Sequence, residues 1–127
     1  MTVWLLGIDN PSSGDPSDAL SPLGRASAGA RLFLMSGMSM GYYLEAFRRA
    51  NVIDFPDLKP GDQAVVLGKR AWSYLGIPRA AFWSSFLDEE VTYHLVPHPS
   101  GKSLLYNSPL EEERLRTLLL SLAGSKP

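Results

Sequence analysis

Short apolar runs alternate with amphipathic stretches along this chain. Val3 to Gly7 is an apolar run closed by glycine, the pattern of a strand buried on both faces. Gln63 to Leu67 and Val91 to Val96 repeat it, and Asn51 to Phe55, closed by Pro56, is a further strand candidate. The stretches between them have helical spacing. Ser27 to Met35 predicts a helix with Ser27 as N-cap, and Ser39 to Ala50 predicts another, with Tyr43, Phe47 and Ala50 on one apolar stripe and a break at Ser36-Gly37. Gly68 to Leu75 predicts a helix that starts directly after a strand and stops at Gly76. Pro109 to Leu122 predicts a terminal helix with Ser108 as N-cap and Pro109 at its first position. Ala80 to Phe86 reads either as a short helix or as an irregular aromatic segment.

Strands that alternate with helices pair in parallel through right-handed crossovers. The fold class that follows is α/β, a three-layer α/β/α sandwich around a central, mostly parallel four-stranded sheet. Its 127 residues form one domain, residues 1–127. Ligands of open parallel sheets bind outside the carboxyl ends of the strands. Gly7-Ile8-Asp9-Asn10, Phe55-Pro56, Gly68-Lys69 and Pro97-His98 all fall at that edge. The long loop from Asp9 to Gly24 is rich in proline, glycine and serine, and a loop of this length in a compact domain is either functional or disordered.

Composition removes several kinds of chemistry. With no cysteine there is no disulfide, thiolate metal site, iron-sulfur cluster or cysteine nucleophile, and two histidines make a poor zinc site. No apolar run is long enough to span a bilayer. The first residues lack the basic region and cleavage site of a signal peptide, so the expectation is a cytoplasmic, intracellular protein with no membrane partner. A net charge of -1 gives no global attraction to nucleic acid, so any such binding is local. Arg114 and Arg116 follow Glu111 to Glu113 on one helix and read as a solvated, ion-paired face.

Val96-Pro97-His98-Pro99-Ser100-Gly101 is the most constrained segment. Each proline fixes its own φ and restricts the residue before it, so the imidazole of His98 projects from a stiff loop. Three further segments accompany it: Leu6-Gly7-Ile8-Asp9-Asn10-Pro11, Arg49-Ala50-Asn51-Val52-Ile53-Asp54-Phe55-Pro56 and Val65-Val66-Leu67-Gly68-Lys69. In order and spacing this set resembles the uracil-DNA glycosylase superfamily, over most of the chain from Val3 to about Leu122.

The resemblance implies a DNA glycosylase that extrudes a uracil-like or modified pyrimidine base and hydrolyses its N-glycosidic bond, as in base-excision repair, without metal or organic cofactor. Asp9 or Asn10 would handle the water, a carboxylate acting as base and an amide only orienting it; the plainer alternative is an Asx turn before Pro11. Asn51 would read the edge of the base, since an amide offers a donor and an acceptor together, or else would cap the preceding helix. His98 would hydrogen-bond the base and stabilise it as it departs, or else be a surface-loop histidine. Leu104 and Leu105 would wedge the duplex or close the core, and Lys69, Ser100 and Lys102 would meet phosphates.

The pattern also departs from that family. Leu23 stands where an aromatic residue usually stacks on the base, the chain is short and not basic, and cluster cysteines are absent. Two other readings therefore stay open: a catalytically inactive or redirected nucleotide- or DNA-binding module of the same fold, and an enzyme acting on free nucleosides or nucleotides.

Overall fold

A computed structural model describes residues 2–7, 28–54, 56–77, 81–99 and 108–124. The chain forms an α/β fold with a five-stranded sheet. In order along the chain, its elements are β1 (Val3–Gly7), α1 (Ala28–Ser36), α2 (Met40–Ala46), β2 (Phe47–Asn51), a 3-10 turn (Val52–Asp54), β3 (Gln63–Leu67), α3 (Lys69–Tyr74), β4 (Ser85–Asp88), β5 (Val91–Val96) and α4 (Pro109–Leu122). The strands lie in the order β2-β1-β3-β5-β4. β1 pairs in parallel with β2 and β3, and β3 pairs in parallel with β5. β4 adds an antiparallel edge to β5, which makes the sheet five strands wide instead of four.

Both faces of the sheet are covered. On one, α1, α2 and α4 bury Leu32, Met35, Tyr43, Leu115 and Leu119 against Val3, Leu5, Phe47, Val65, Leu67 and Val96. On the other, α3 and the 3-10 turn bury Ala71, Trp72 and Val52 against Trp4, Leu6, Ala64, Val66 and Leu95. Successive residues of a strand point to opposite faces, so a strand between two helical layers must be apolar throughout. All five residues of β1 are buried accordingly.

Two elements differ from their sequence pattern. The helix expected over Ser39 to Ala50 stops at Ala46, and Phe47 to Asn51 is a strand in register with β1, Val3 facing Phe47 and Gly7 facing Asn51. Ser39 caps the helix, its side chain accepting from the Tyr42 amide at 3.3 Å, a role its sequence pattern did not single out. The backbone of β1 needs a partner on its outer side, and tertiary pairing overrides the helical spacing. Consequently β2 ends at Asn51, and Val52–Asp54, expected to continue a strand from Asn51 to Phe55, form a 3-10 turn instead. The second difference is β4, in the aromatic stretch that carried no clear period. Trp83 and Ser84 both oppose Leu95, the Trp83 amide donating to the Leu95 carbonyl at 2.7 Å and the Leu95 amide to Ser84 at 3.0 Å, which is a bulge at the start of the strand. Glu89 and Glu90 turn the chain into β5, both at positive φ, 49° and 64°. That is the backbone of a two-residue hairpin, made here without glycine or asparagine.

At the amino edge of the sheet, Asp62 ties β1 to the turn before β3 through three hydrogen bonds. Its buried carboxylate accepts from the Thr2 amide at 2.8 Å, the Lys59 amide at 2.9 Å and the Trp4 indole at 3.2 Å. Burial alone pushes this carboxyl up, but the three donors outweigh it and hold the group below the usual carboxylate range. Its contribution to stability is therefore present above about pH 4 and is lost as pH falls through the lower value of the folded protein. Asp62→Ala is expected to destabilise the fold by about 2–4 kcal/mol at neutral pH, because two amides and an indole lose their acceptor. Urea midpoints between pH 7 and pH 2.5 check this, the difference between wild type and variant shrinking at the acid end.

Candidate functional site at the carboxyl edge of the sheet

Four parallel strands deliver their carboxyl ends to one edge, in the lateral order Asn51, Gly7, Leu67 and Val96. Asn51 is the last residue of β2 and is buried, 1% exposed. Because the preceding helix ends five residues earlier at Ala46, Asn51 is not its C-cap. Three strand spacings, roughly 14 Å, separate the backbones of β2 and β5. Between them the first strand ends in Gly7, which has no side chain, and the third leads into Gly68.

Gly68 determines where His98 sits. Its φ of +92° is a backbone conformation that favours glycine, and its amide donates to the Val96 carbonyl at 2.8 Å. A Cβ placed on it would come within 3.1 Å of the His98 Cβ and 3.6 Å of Cδ2, so the histidine lies directly over the bare Cα. Pro97 and Pro99 are both buried while His98 is half-buried, so the loop is anchored on either side of the imidazole. The stiffness expected from the two prolines thus coincides with a close approach that only glycine at position 68 permits.

Lys69, the first residue of α3, is exposed at the same edge, with its ammonium 5.0 Å above the ring of Phe82. Of the residues that the sequence pattern singles out, the structure therefore brings Asn51, Lys69 and His98 to one edge. Asp9, Asn10, Leu23, Ser100, Lys102, Leu104 and Leu105 lie outside the described residues. Two surface grooves among the described residues lie elsewhere. One of about 360 Å³ is lined by Thr2, Glu45, Arg48 and Leu122, and one of about 530 Å³ by Trp83, Leu110, Arg114 and Leu118.

The sequence pattern did not single out His94, the other histidine. Its Nδ1 lies 2.8 Å from Ser85 Oγ and its Nε2 2.7 Å from Gln63 Oε1. One tautomer satisfies all three groups, Nε2–H donating to Gln63 and Nδ1 accepting from Ser85. Burial holds the pKa of His94 below its ordinary value, which favours that neutral form. This chain joins β3, β5 and the edge strand β4 within the sheet, away from the carboxyl edge. Its only sequence signal is alternation along β5, which puts His94 on the face of Val96.

No helix among the described residues is long and apolar enough to cross a membrane. Comparison of the chain with family models, curated proteins and solved structures gives no match.

Gly68→Ala is expected to destabilise the protein by about 1–3 kcal/mol, since it combines a disfavoured φ with a tight 3.1 Å contact that His98 must yield to. Thermal unfolding measures the loss, and the His98 ring resonances in an NMR spectrum are expected to move with it. Gly61, also at positive φ but with open space around it, is the control, where alanine costs only the backbone term.

Proposed function

We propose that this protein is a DNA glycosylase that hydrolyses the N-glycosidic bond of a uracil-like or modified pyrimidine base extruded from DNA. The observation that carries the reading is the shared edge of Asn51 and His98, an amide and an imidazole on either side of a floor that includes two glycines. An amide suits one edge of a heterocyclic base because it both donates and accepts. An imidazole N–H suits a base that leaves as an anion, since it donates to the oxygen on which charge develops.

In the reaction, water adds to the anomeric carbon as the bond from that carbon to the base nitrogen breaks, and the bonding electrons leave with the base. His98 stabilises this anion, Asn51 fixes its orientation, and Asp9 or Asn10 positions the water, whose proton passes to the carboxylate or to solvent. Leu23 lines the base in place of an aromatic ring. Leu104 and Leu105 occupy the gap left in the duplex, while Lys69, Ser100 and Lys102 meet the backbone phosphates. A second reading, a pocket that holds a nucleotide or base without cleaving it, draws support from the net charge of -1 and from the leucine at position 23.

Incubation with single- and double-stranded oligonucleotides carrying uracil or modified pyrimidines, followed by alkaline scission, tests the reading. Wild type is expected to leave abasic sites that break under alkali, and His98→Ala and Asn51→Ala each to slow the reaction by about 100-fold or more. DNA binding without scission at any tested base would contradict catalysis and favour the binding module.

A further inference from the structure

Arg49 lies on the edge strand β2 two residues before Asn51, so both side chains leave the strand on the face that also carries Phe47. The Nε and Nη1 atoms of Arg49 are enclosed and have no hydrogen-bond partner among the described residues. The hydroxyl of Tyr43, a residue that is 0% exposed, has none either. The two lie within electrostatic reach of each other, the arginine charge acting on the phenol. Phe33 and Phe47 hold the Tyr43 ring edge-on at 5.2 and 5.3 Å, so its hydroxyl is fixed.

A guanidinium cannot escape burial by losing its proton, and a buried charge without a partner strongly destabilises a fold. Burial pushes the Tyr43 phenol up, against the smaller effect of Arg49, so it stays protonated and donates. The pair therefore offers a positive charge and three donor atoms, none of which meets an acceptor among the described residues. What completes such a set is an anion with several acceptor oxygens. Donors on two separate side chains suit a tetrahedral oxyanion better than a planar carboxylate.

We propose that Arg49 and Tyr43 form an anion site that takes a phosphate group. The site lies about 7 Å down the strand from Asn51, two residues at the usual rise, on the face to which Asn51 also points. A phosphate belonging to the nucleotide whose base meets Asn51 would reach it. That identity of the ligand rests on the base-binding reading, whereas the anion site itself does not.

The test is the thermal midpoint of the full chain, titrated with inorganic phosphate at an ionic strength held constant with chloride. Wild type is expected to gain about 3–5 °C in a saturable manner. Arg49→Met is expected to lose the saturable gain and, in phosphate-free buffer, to be at least as stable as wild type. Tyr43→Phe, which keeps the ring packing, is expected to weaken phosphate binding about 3- to 10-fold. A deoxyuridine mononucleotide and a 5′-phosphorylated oligonucleotide, each beside its dephosphorylated counterpart, distinguish a free nucleotide from a DNA end by which phosphate acts at the lower concentration. The proposal is overturned if wild type shows no saturable gain, if Arg49→Met shows the same gain, or if Arg49→Met is markedly less stable without phosphate, which would make Arg49 the partner of another group of this chain. Scission of uracil-containing DNA together with any of these results would leave the glycosylase reading standing and remove only the anion site.

Discussion

Parallel pairing of β1 on both of its sides is the constraint on which the rest of the structure depends. A buried strand must have every amide and carbonyl satisfied, and β1 has no helix or solvent to turn to along its edges. β2 and β3 supply the partners, and because both run parallel to it, each connection has to cross a face of the sheet. Those crossings place helices on the two faces and force apolar residues on both sides of the central strands. They also send the carboxyl ends of four strands to one edge, where side chains can converge with no sheet surface left to cover.

The two ends of the sheet are built for different purposes. At the amino end the carboxylate of Asp62 gathers donors from β1 and from the turn before β3 and closes that edge with satisfied hydrogen bonds. At the carboxyl end the chain places Gly7, Gly68, a buried amide and a histidine held over bare backbone, with an arginine and a tyrosine whose donors lie enclosed just below. The enclosed donors of Arg49 and Tyr43 have no hydrogen-bond partner among the described residues. Buried polar groups without partners are rare in folded proteins, which is why their position carries functional weight.

Much of the architecture was legible because it is written in local patterns. β1, β3, β5 and α4 have the lengths and boundaries expected of them, with Pro109 opening α4 although Ser108 before it makes no side-chain capping bond, and Gly76 stops α3 as its position predicts. β2 was not legible, since Tyr43 and Phe47 have helical spacing and both are buried in the same cluster, yet one lies within α2 and the other starts a strand. Only pairing with β1, a contact across more than forty residues of chain, decides between the two. β4 was hidden because its hairpin turn is Glu89-Glu90, where the usual glycine or asparagine is absent, and because a bulge at Trp83 interrupts its alternation. At the site, Asn51 and His98 were visible through their neighbours in sequence, proline above all. Arg49 was not, because a charged residue on an edge strand signals nothing until its atoms are seen to be enclosed.

Whether a base is held between Asn51 and His98 is most directly measured by NMR on the isotope-labelled chain titrated with uracil. Binding at the carboxyl edge predicts that the side-chain amide of Asn51 and the ring protons of His98 shift together with one dissociation constant, while the His94 ring, bound within the sheet to Ser85 and Gln63, stays in place. Shifts at only one of the two, or at neither while the protein is folded, would contradict a shared base site at this edge.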